Sequence, residues 1–358
     1  SMPMIIAEEL DVPWEKVSVS QGLYDPVNYQ RQVAGGSQSI RFGWDALRQT
    51  GATAKQMLIN AAASKWGVEP SSCSASQGII TNANGDSFGY GEVVKEAAVL
   101  EVPENVKLKD SKDYKIIGQD IKNVDIQKII TGKPLFGLDY VTEKMVYASV
   151  LRPPSFGKKL VSFDDQNSKK INGVVDVLKF GDKIAVLGTN TWAAMKGKKA
   201  LICKWSSNTK LESTKDHNKE LLKILNGNKF KVNREDGNIE KAFLNSDKNI
   251  ERTFESPFLP HNCMEPMNFY ANVTSDKVHL VGPIQTPAWT ASKISKLLDR
   301  KPEEIHLEMT RMGGGFGRRL YGDFAEEAAQ ISNLANKPVK VVFSREDDMA
   351  AGIYRPAI

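Results

Sequence analysis

The stretch that most limits what this chain can become is Arg311-Met312-Gly313-Gly314-Gly315-Phe316-Gly317-Arg318-Arg319. Glycine weakens helices and strands and is kept where φ must be positive or where backbone must approach another group closely. Four glycines around one aromatic therefore predict a tight loop whose N–H groups can point at a ligand. The alternating apolar run Ile305 to Thr310 precedes it, and a helical pattern begins at Asp323. Strand, loop, helix is the expectation, an arrangement that commonly holds anions and cofactor phosphates. Asp323 and Glu326 predict a capping box for the helix from Phe324 to Leu334.

The rest of the chain reads as mixed α and β. With 358 residues, 41% hydrophobic and 25% charged, it is long enough for two or three domains with substantial cores. In residues 1–110, Met4, Ile5, Ile6 and Leu10 mark a short helix, and Lys16 to Gln21 alternates as a strand. The small-residue turn Ala34 to Ser39 opens a helix from about Asp45 to Lys65, closed by Gly67 and carrying an alanine-rich face. Asn82-Ala83-Asn84-Gly85 is a hairpin turn. In residues 117–210, strands are expected at Lys144 to Leu151, after Asn172-Gly173 and at Lys183 to Leu187, with a helix from Thr191 to Leu201. Residues 211–249 are polar and lysine-rich and read as a linker or surface excursion, with helix near Glu220 to Leu225. In residues 250–358, Asn268 to Val273 and Asp276 to Val281 form a strand pair, and Pro287 starts a helix after Gln285-Thr286. Val339 to Phe343 closes the pattern as a strand. The fold class is α+β, with mixed sheets and packed helices.

Several function classes are excluded at this level. Lys and Arg number 48 against 43 Asp and Glu, a surplus too small and dispersed for a nucleic-acid partner. Cys73, Cys203 and Cys263 are few and scattered, so the chain holds neither a disulfide framework nor an iron–sulfur site of its own. No apolar run reaches the roughly 18 residues of a membrane span. The glycine loop lacks G-x-G-x-x-G spacing and a following Lys-Ser/Thr, which argues against dinucleotide and kinase-type binding and predicts no thermal stabilisation by ATP or NAD. His261, Cys263 and Glu265 alternate and could share one side of a strand as metal ligands, but without a fourth ligand a structural role is expected. Arg318 and Arg319 are phosphate binders, solvated surface, or salt-bridged to Asp323 and Glu327.

Taken in order, His261-x-x-Met264-Glu265-Pro266, Gln285-Thr286-Pro287 and Gly313-Gly314-Gly315-Phe316-Gly317-Arg318-Arg319 resemble the molybdenum-binding subunit of the xanthine dehydrogenase/aldehyde oxidase family. Gly132-Lys133-Pro134-Leu135-Phe136-Gly137 through Trp205 is similar to that family's α/β hammerhead domain. Gly35-Gly36-Ser37-Gln38-Ser39-Ile40-Arg41 on its N-terminal side, with the double arginine, resembles the isoquinoline 1-oxidoreductase β-subunit branch. Residues 1–110 and 250–358 then correspond to molybdopterin-binding regions.

This resemblance implies a molybdopterin cofactor with molybdenum, in the cytosine dinucleotide form, and a separate small [2Fe-2S] subunit that takes the electrons. It implies hydroxylation of an electron-poor carbon, in an N-heteroaromatic or an aldehyde, with oxygen from water and a glutamate as base. Gln285 would hydrogen-bond a molybdenum ligand, and Phe316 would wall the substrate pocket. Gly317 would offer its N–H to the oxo group. Gly35, Gly36 and Ser37 would approach the pterin, with Gly315 and Arg318 completing the cofactor contacts. The family's catalytic glutamate, in a Gly-x-Gly-Glu segment, is expected beyond Ile358 and not within the chain, and a Gly-Gln-Gly segment before residue 1. The 358 residues thus read as an internal piece that alone binds no cofactor tightly and has no turnover. The rival reading is a non-catalytic assembly module on the same scaffold. An amide at Gln285 and an aromatic at Phe316 favour the enzyme, since a scaffold needs neither.

Overall fold

The computed structural model describes residues 1–29, 31–207, 213–350 and 353–358. The chain divides into two compact units, Ser1–Leu135 with Gln285–Pro287, and Phe136–Ile284 with Ala288–Ile358.

In the first unit Met2–Leu10 (α1) lies against Gln38–Trp66 (α2). Gly51 of α2 makes the crossing possible, since a Cβ there would sit 2.5 Å from the Ile6 carbonyl oxygen and 2.9 Å from the Glu9 Cβ. The alanine face is buried as expected, at Ala52, Ala61, Ala62 and Ala63. Ser74–Ser76 (β1), Ile79–Thr81 (β2) and Ser87–Gly89 (β3) form a small antiparallel sheet, followed by Tyr90–Ala97 (α3) and, later, Ile126–Ile130 (α4). Leu58, Ile59, Ile80, Val93 and Ala97 make the shared core. The Asn82 turn forms as expected, its Oδ1 accepting from the Asn84 and Asp86 N–H groups at 2.9 and 3.0 Å.

Two expectations fail here. Helix α2 ends at Gly67 in the left-handed conformation as expected, but it starts at Gln38 rather than near Asp45. Its opening turns are mostly exposed, so no buried apolar period announced them. Lys16 to Gln21 is not a strand: Trp14–Lys16 is one 3-10 turn, and exposed chain follows. Alternation alone does not make a strand without a neighbour to pair with.

The second unit is built on a seven-stranded mixed sheet. Its strands are Val146–Leu151 (β4), Val174–Phe180 (β6), Lys183–Gly188 (β7), Asn268–Val273 (β9), Val278–Gly282 (β10), Ile305–Met309 (β11) and Val339–Val342 (β12), in the order β11-β10-β9-β12-β4-β7-β6. Strands β9 and β10 are the expected hairpin, β10 and β11 are parallel, and β12 runs parallel to β4 and antiparallel to β9. Pro287–Leu298 (α9) connects β10 to β11. Asp323–Ala335 (α10) packs on the central strands through Phe324, Ala325, Ala328 and Ile331, all fully buried. Leu160–Asp164 (β5) pairs with Ile202–Trp205 (β8), beside Gln166–Lys169 (α5) and Thr191–Lys199 (α6). Residues 208–212, where the excursion begins, lie outside the described residues. Beyond them come Thr214–Leu225 (α7), longer than the expected helix, and Ile239–Leu244 (α8); Arg345–Ala350 (α11) follows β12.

The capping box proposed for α10 is not formed. Gly322, with φ 69°, is the N-cap, and Asp323 is the first helical residue. Its carboxylate accepts from Arg318 instead, at 2.6 and 2.8 Å, a charged fork that outcompetes a local cap.

Candidate functional site

The glycine loop leaves β11 and returns through a 3-10 turn, Arg318–Leu320, into α10. Gly314, Phe316 and Gly317 have φ of 102°, 52° and 94°. Left-handed backbone costs a non-glycine residue about 1–2 kcal/mol, and the structure places that strain at Phe316, a residue 65% exposed. All five loop carbonyls are occupied. Gly313 O accepts from the Glu265 N–H at 3.0 Å, Gly314 O from Arg319 Nε at 2.8 Å, and Gly315 O from the Arg318 N–H at 2.8 Å. Phe316 O accepts from Arg355 at 3.3 Å and Gly317 O from the Leu320 N–H at 3.2 Å. The Gly313 N–H donates to Glu265 Oε2 at 2.7 Å. The N–H groups of Gly314, Gly315 and Phe316 have no partner among the described residues.

Both arginines after the loop are buried, Arg318 to 1% and Arg319 to 0% exposure, which overturns the surface reading. Arg318, expected at the cofactor, gives its terminal nitrogens to Asp323, whose side chain is 36% exposed. Arg319 reaches Gly314 O, Glu265 O at 2.8 Å and Glu265 Oε2 at 3.3 Å. Glu327, the other expected partner, binds Arg152 and Lys183.

Glu265 stands at the centre of this arrangement. Its Oε1 accepts from the Leu138 N–H at 3.1 Å and Asn268 Nδ2 at 2.9 Å, and its Oε2 from Gly313 and Arg319. The nearby Cys263 thiol is pushed up by burial, and His261 is pulled down by burial and by Arg355. A protonated thiol and a neutral imidazole are therefore the forms at neutral pH. Among the described residues no three His, Cys, Asp or Glu are grouped to hold a metal.

Lys340 was not legible as part of this region, although a lysine between valines in a strand, Val339-Lys340-Val341, is a signal that could have found it. It is buried in β12 and its Nζ donates to Leu138 O at 2.5 Å and Tyr140 O at 2.9 Å, fixing the turn whose N–H Glu265 holds. Burial pushes its ammonium down from 10.5 to about 8. The unfolded chain then binds more protons between those values, so stability rises with pH across the window from about 8 to 10.5. Urea denaturation at several pH values is expected to show that rise, and Lys340→Met to flatten it.

In the first unit Gln285 meets the small-residue turn. Its Nε2 donates to Ala34 O at 2.6 Å, and the Ala34 N–H donates to the Gln285 backbone oxygen at 2.9 Å. The structure thus brings Gln285 to Gly35, Gly36 and Ser37 across a long sequence separation. Gly36 and Ser37 take φ of 62° and 53°, and Ser37 is exposed at the N-terminus of α2. That 29-residue helix has no side-chain cap and no acidic residue in its first turn, while the guanidinium groups of Arg31 and Arg41 lie over the Phe42 ring at 4.9 and 5.2 Å. An uncapped, cation-flanked helix start suits an anionic group.

One Gly-x-Gly-Glu spelling does occur within the chain, Gly89-Tyr90-Gly91-Glu92, contrary to the expectation of none. Glu92 is spent on capping α3, its Oε2 accepting from the Gly89 N–H at 2.7 Å. Its place at the third helical position explains the motif without chemistry.

Each unit taken by itself offers donors that suit an anionic or oxo-bearing group: in the second unit the unpartnered N–H groups of the glycine loop, and in the first unit the uncapped start of α2. Two models described as molybdopterin cofactor-binding domains match residues 1–132 and 223–358. The chain is 28% identical over 374 residues to the membrane-bound aldehyde dehydrogenase [pyrroloquinoline-quinone] of Gluconacetobacter polyoxogenes, covering 99% of this chain and 48% of that protein. It is 26% identical over 412 residues to isoquinoline 1-oxidoreductase subunit beta of Brevundimonas diminuta, covering 100% and 52%. The fold resembles the aldehyde oxidoreductase of Desulfovibrio desulfuricans, with a TM-score of 0.52, 15% identity and coverage of 67% of this chain and 32% of that one. The chain belongs to the family of molybdopterin-binding large subunits of the molybdenum hydroxylases. It spans about half the length of these two curated relatives.

Proposed function

We propose that the chain is the cofactor-holding part of a molybdopterin-dependent oxidoreductase that hydroxylates an N-heteroaromatic or aldehyde substrate. The observation that carries this is the glycine loop, whose carbonyls are all engaged within the protein while the Gly314, Gly315 and Phe316 N–H groups have no partner among the described residues. When bound, the cofactor supplies the two-electron oxidation and activates the water whose oxygen enters the product.

The chain's residues supply placement. Gly36 and Ser37, with left-handed backbone at the start of α2, would hold the pterin or its phosphate, and Gln285 holds that turn through Ala34. The loop N–H groups would donate to an oxo ligand of the bound cofactor, and the exposed Phe316 ring would exclude water from the substrate. The proposal includes the cytosine dinucleotide form and the reading of residues 117–210 as the hammerhead, both as the family resemblance implies. With three scattered cysteines the chain offers no cluster ligands, which supports a separate [2Fe-2S] subunit as electron acceptor. Turnover and the base then belong to the full-length subunit.

The test is turnover of an N-heteroaromatic in 18O-labelled water by the full-length subunit with its partner and a dye acceptor. Label in the hydroxylated product is expected, and product without water oxygen would contradict the reaction. Gln285→Ala leaves the Ala34 carbonyl without its side-chain donor, a loss that is expected to weaken cofactor retention by about tenfold.

A further inference from the structure

We propose that Glu265 is the positioning residue of the glycine loop: through Gly313 and Arg319 it holds the N–H groups of Gly314, Gly315 and Phe316 in their outward arrangement, and it is not itself a base. This rests on reading the loop as the wall of the cofactor site.

The inference begins with peptide geometry. In a trans peptide the carbonyl of one residue and the N–H of the next point in opposite directions. Turning the Gly313, Gly314 and Gly315 carbonyls into the protein therefore turns the Gly314, Gly315 and Phe316 N–H groups away from it. Glu265 and Arg319 perform the first two of these captures. The Glu265 N–H takes Gly313 O at 3.0 Å while its carboxylate takes the Gly313 N–H at 2.7 Å, so one residue holds both ends of Gly313. Arg319 takes Gly314 O at 2.8 Å and returns to Glu265 through O and Oε2, closing a ring of hydrogen bonds around the loop's first two residues.

The carboxylate is needed rather than an isosteric amide. A carboxylate offers about four acceptor positions and no donor, and here four donors use them: Leu138 N, Asn268 Nδ2, Gly313 N and Arg319. Glutamine would set its NH2 against one pair of these donors. No acceptor position is left over to take a proton from a reacting group, which separates Glu265 from a base. Glycine at 313 is part of the same device, since a Cβ there would overlap the Glu265 Cβ.

The test uses Glu265→Gln and Arg319→Lys in the full-length protein, with Asp323→Asn as control, because the Arg318–Asp323 pair lies beside the loop but leaves the Gly313 and Gly314 carbonyls alone. Amide exchange of a peptide spanning Gly313 to Phe316 is read on metal-free protein, and the Mo(V) EPR spectrum, kcat and KM on the holoprotein, per molybdenum. Both variants are expected to speed exchange and lower kcat by about tenfold, the size of one lost charge-assisted hydrogen bond, and to shift the EPR g values with KM little changed. Asp323→Asn is expected to lower Tm and leave the EPR spectrum as it is. Exchange and EPR matching the parent protein in either folded variant would overturn the positioning role. So would loss of folding in both, which would assign the pair to stability alone. Failure of the cofactor reading itself would appear differently, as a parent protein without molybdenum or an EPR signal, while the exchange result would stand.

Discussion

Glu327→Ala is expected to destabilise the second unit by about 3–5 kcal/mol, the cost of breaking a buried ion pair from one side. Glu327 lies on α10 at 2% exposure and joins three elements: Arg152 just after β4, Lys183 at the start of β7, whose Nζ is 2.8 Å from Oε1, and its own helix. The Arg152 guanidinium also lies over the Phe343 ring at 3.8 Å. Without the carboxylate, Arg152 keeps its burial and loses the group that compensates it. Urea denaturation followed by far-UV circular dichroism measures the change. A loss below about 1 kcal/mol would show that the pair is worth no more than a surface contact.

Gly313→Ala is expected to remove function with little effect on that stability. Gly313 does not have positive φ, so backbone strain is not the reason. A Cβ would overlap the Glu265 Cβ and lie 3.1 Å from the Oε2 that accepts the Gly313 N–H. Neither partner can retreat, because Glu265 is held by Leu138, Asn268 and Arg319 as well. The loop must shift by a few tenths of an ångström to one ångström, and a misplacement of that order costs about a hundredfold in rate. The readout is kcat/KM per molybdenum beside Tm. Activity within about threefold of the parent would mean that the loop tolerates the shift and that its placement is not critical.

What was legible in the sequence was local. The glycine loop, the β9–β10 hairpin, the Asn82 turn and the Gly67 helix end each announce themselves within a few residues, and each formed. The family, too, was readable from three short motifs in order. What was not legible depended on which distant group wins a partner. Asp323 was legible as an arginine partner five residues away, whereas nothing in the chain's order shows Glu265 closing on Arg319 or Arg152 and Lys183 claiming Glu327. The apparent strand at Lys16 to Gln21 failed for want of a neighbour, and the apparent capping box failed because Arg318 took Asp323 first. Gln285 was expected at the metal, and the structure shows its amide holding Ala34, a contact that puts it beside Gly35, Gly36 and Ser37.

The central claim is that the chain holds a molybdopterin cofactor, and cofactor content tests it most directly. The full-length protein is purified with its partner from a host that makes the cofactor, then analysed for molybdenum and for the fluorescent oxidised pterin, beside Gln285→Ala and Gly313→Ala. About one molybdenum and one pterin per chain in the parent, falling in both variants, is the expected result. Absence of both from the folded parent protein, or an undiminished complement in both variants, would contradict it.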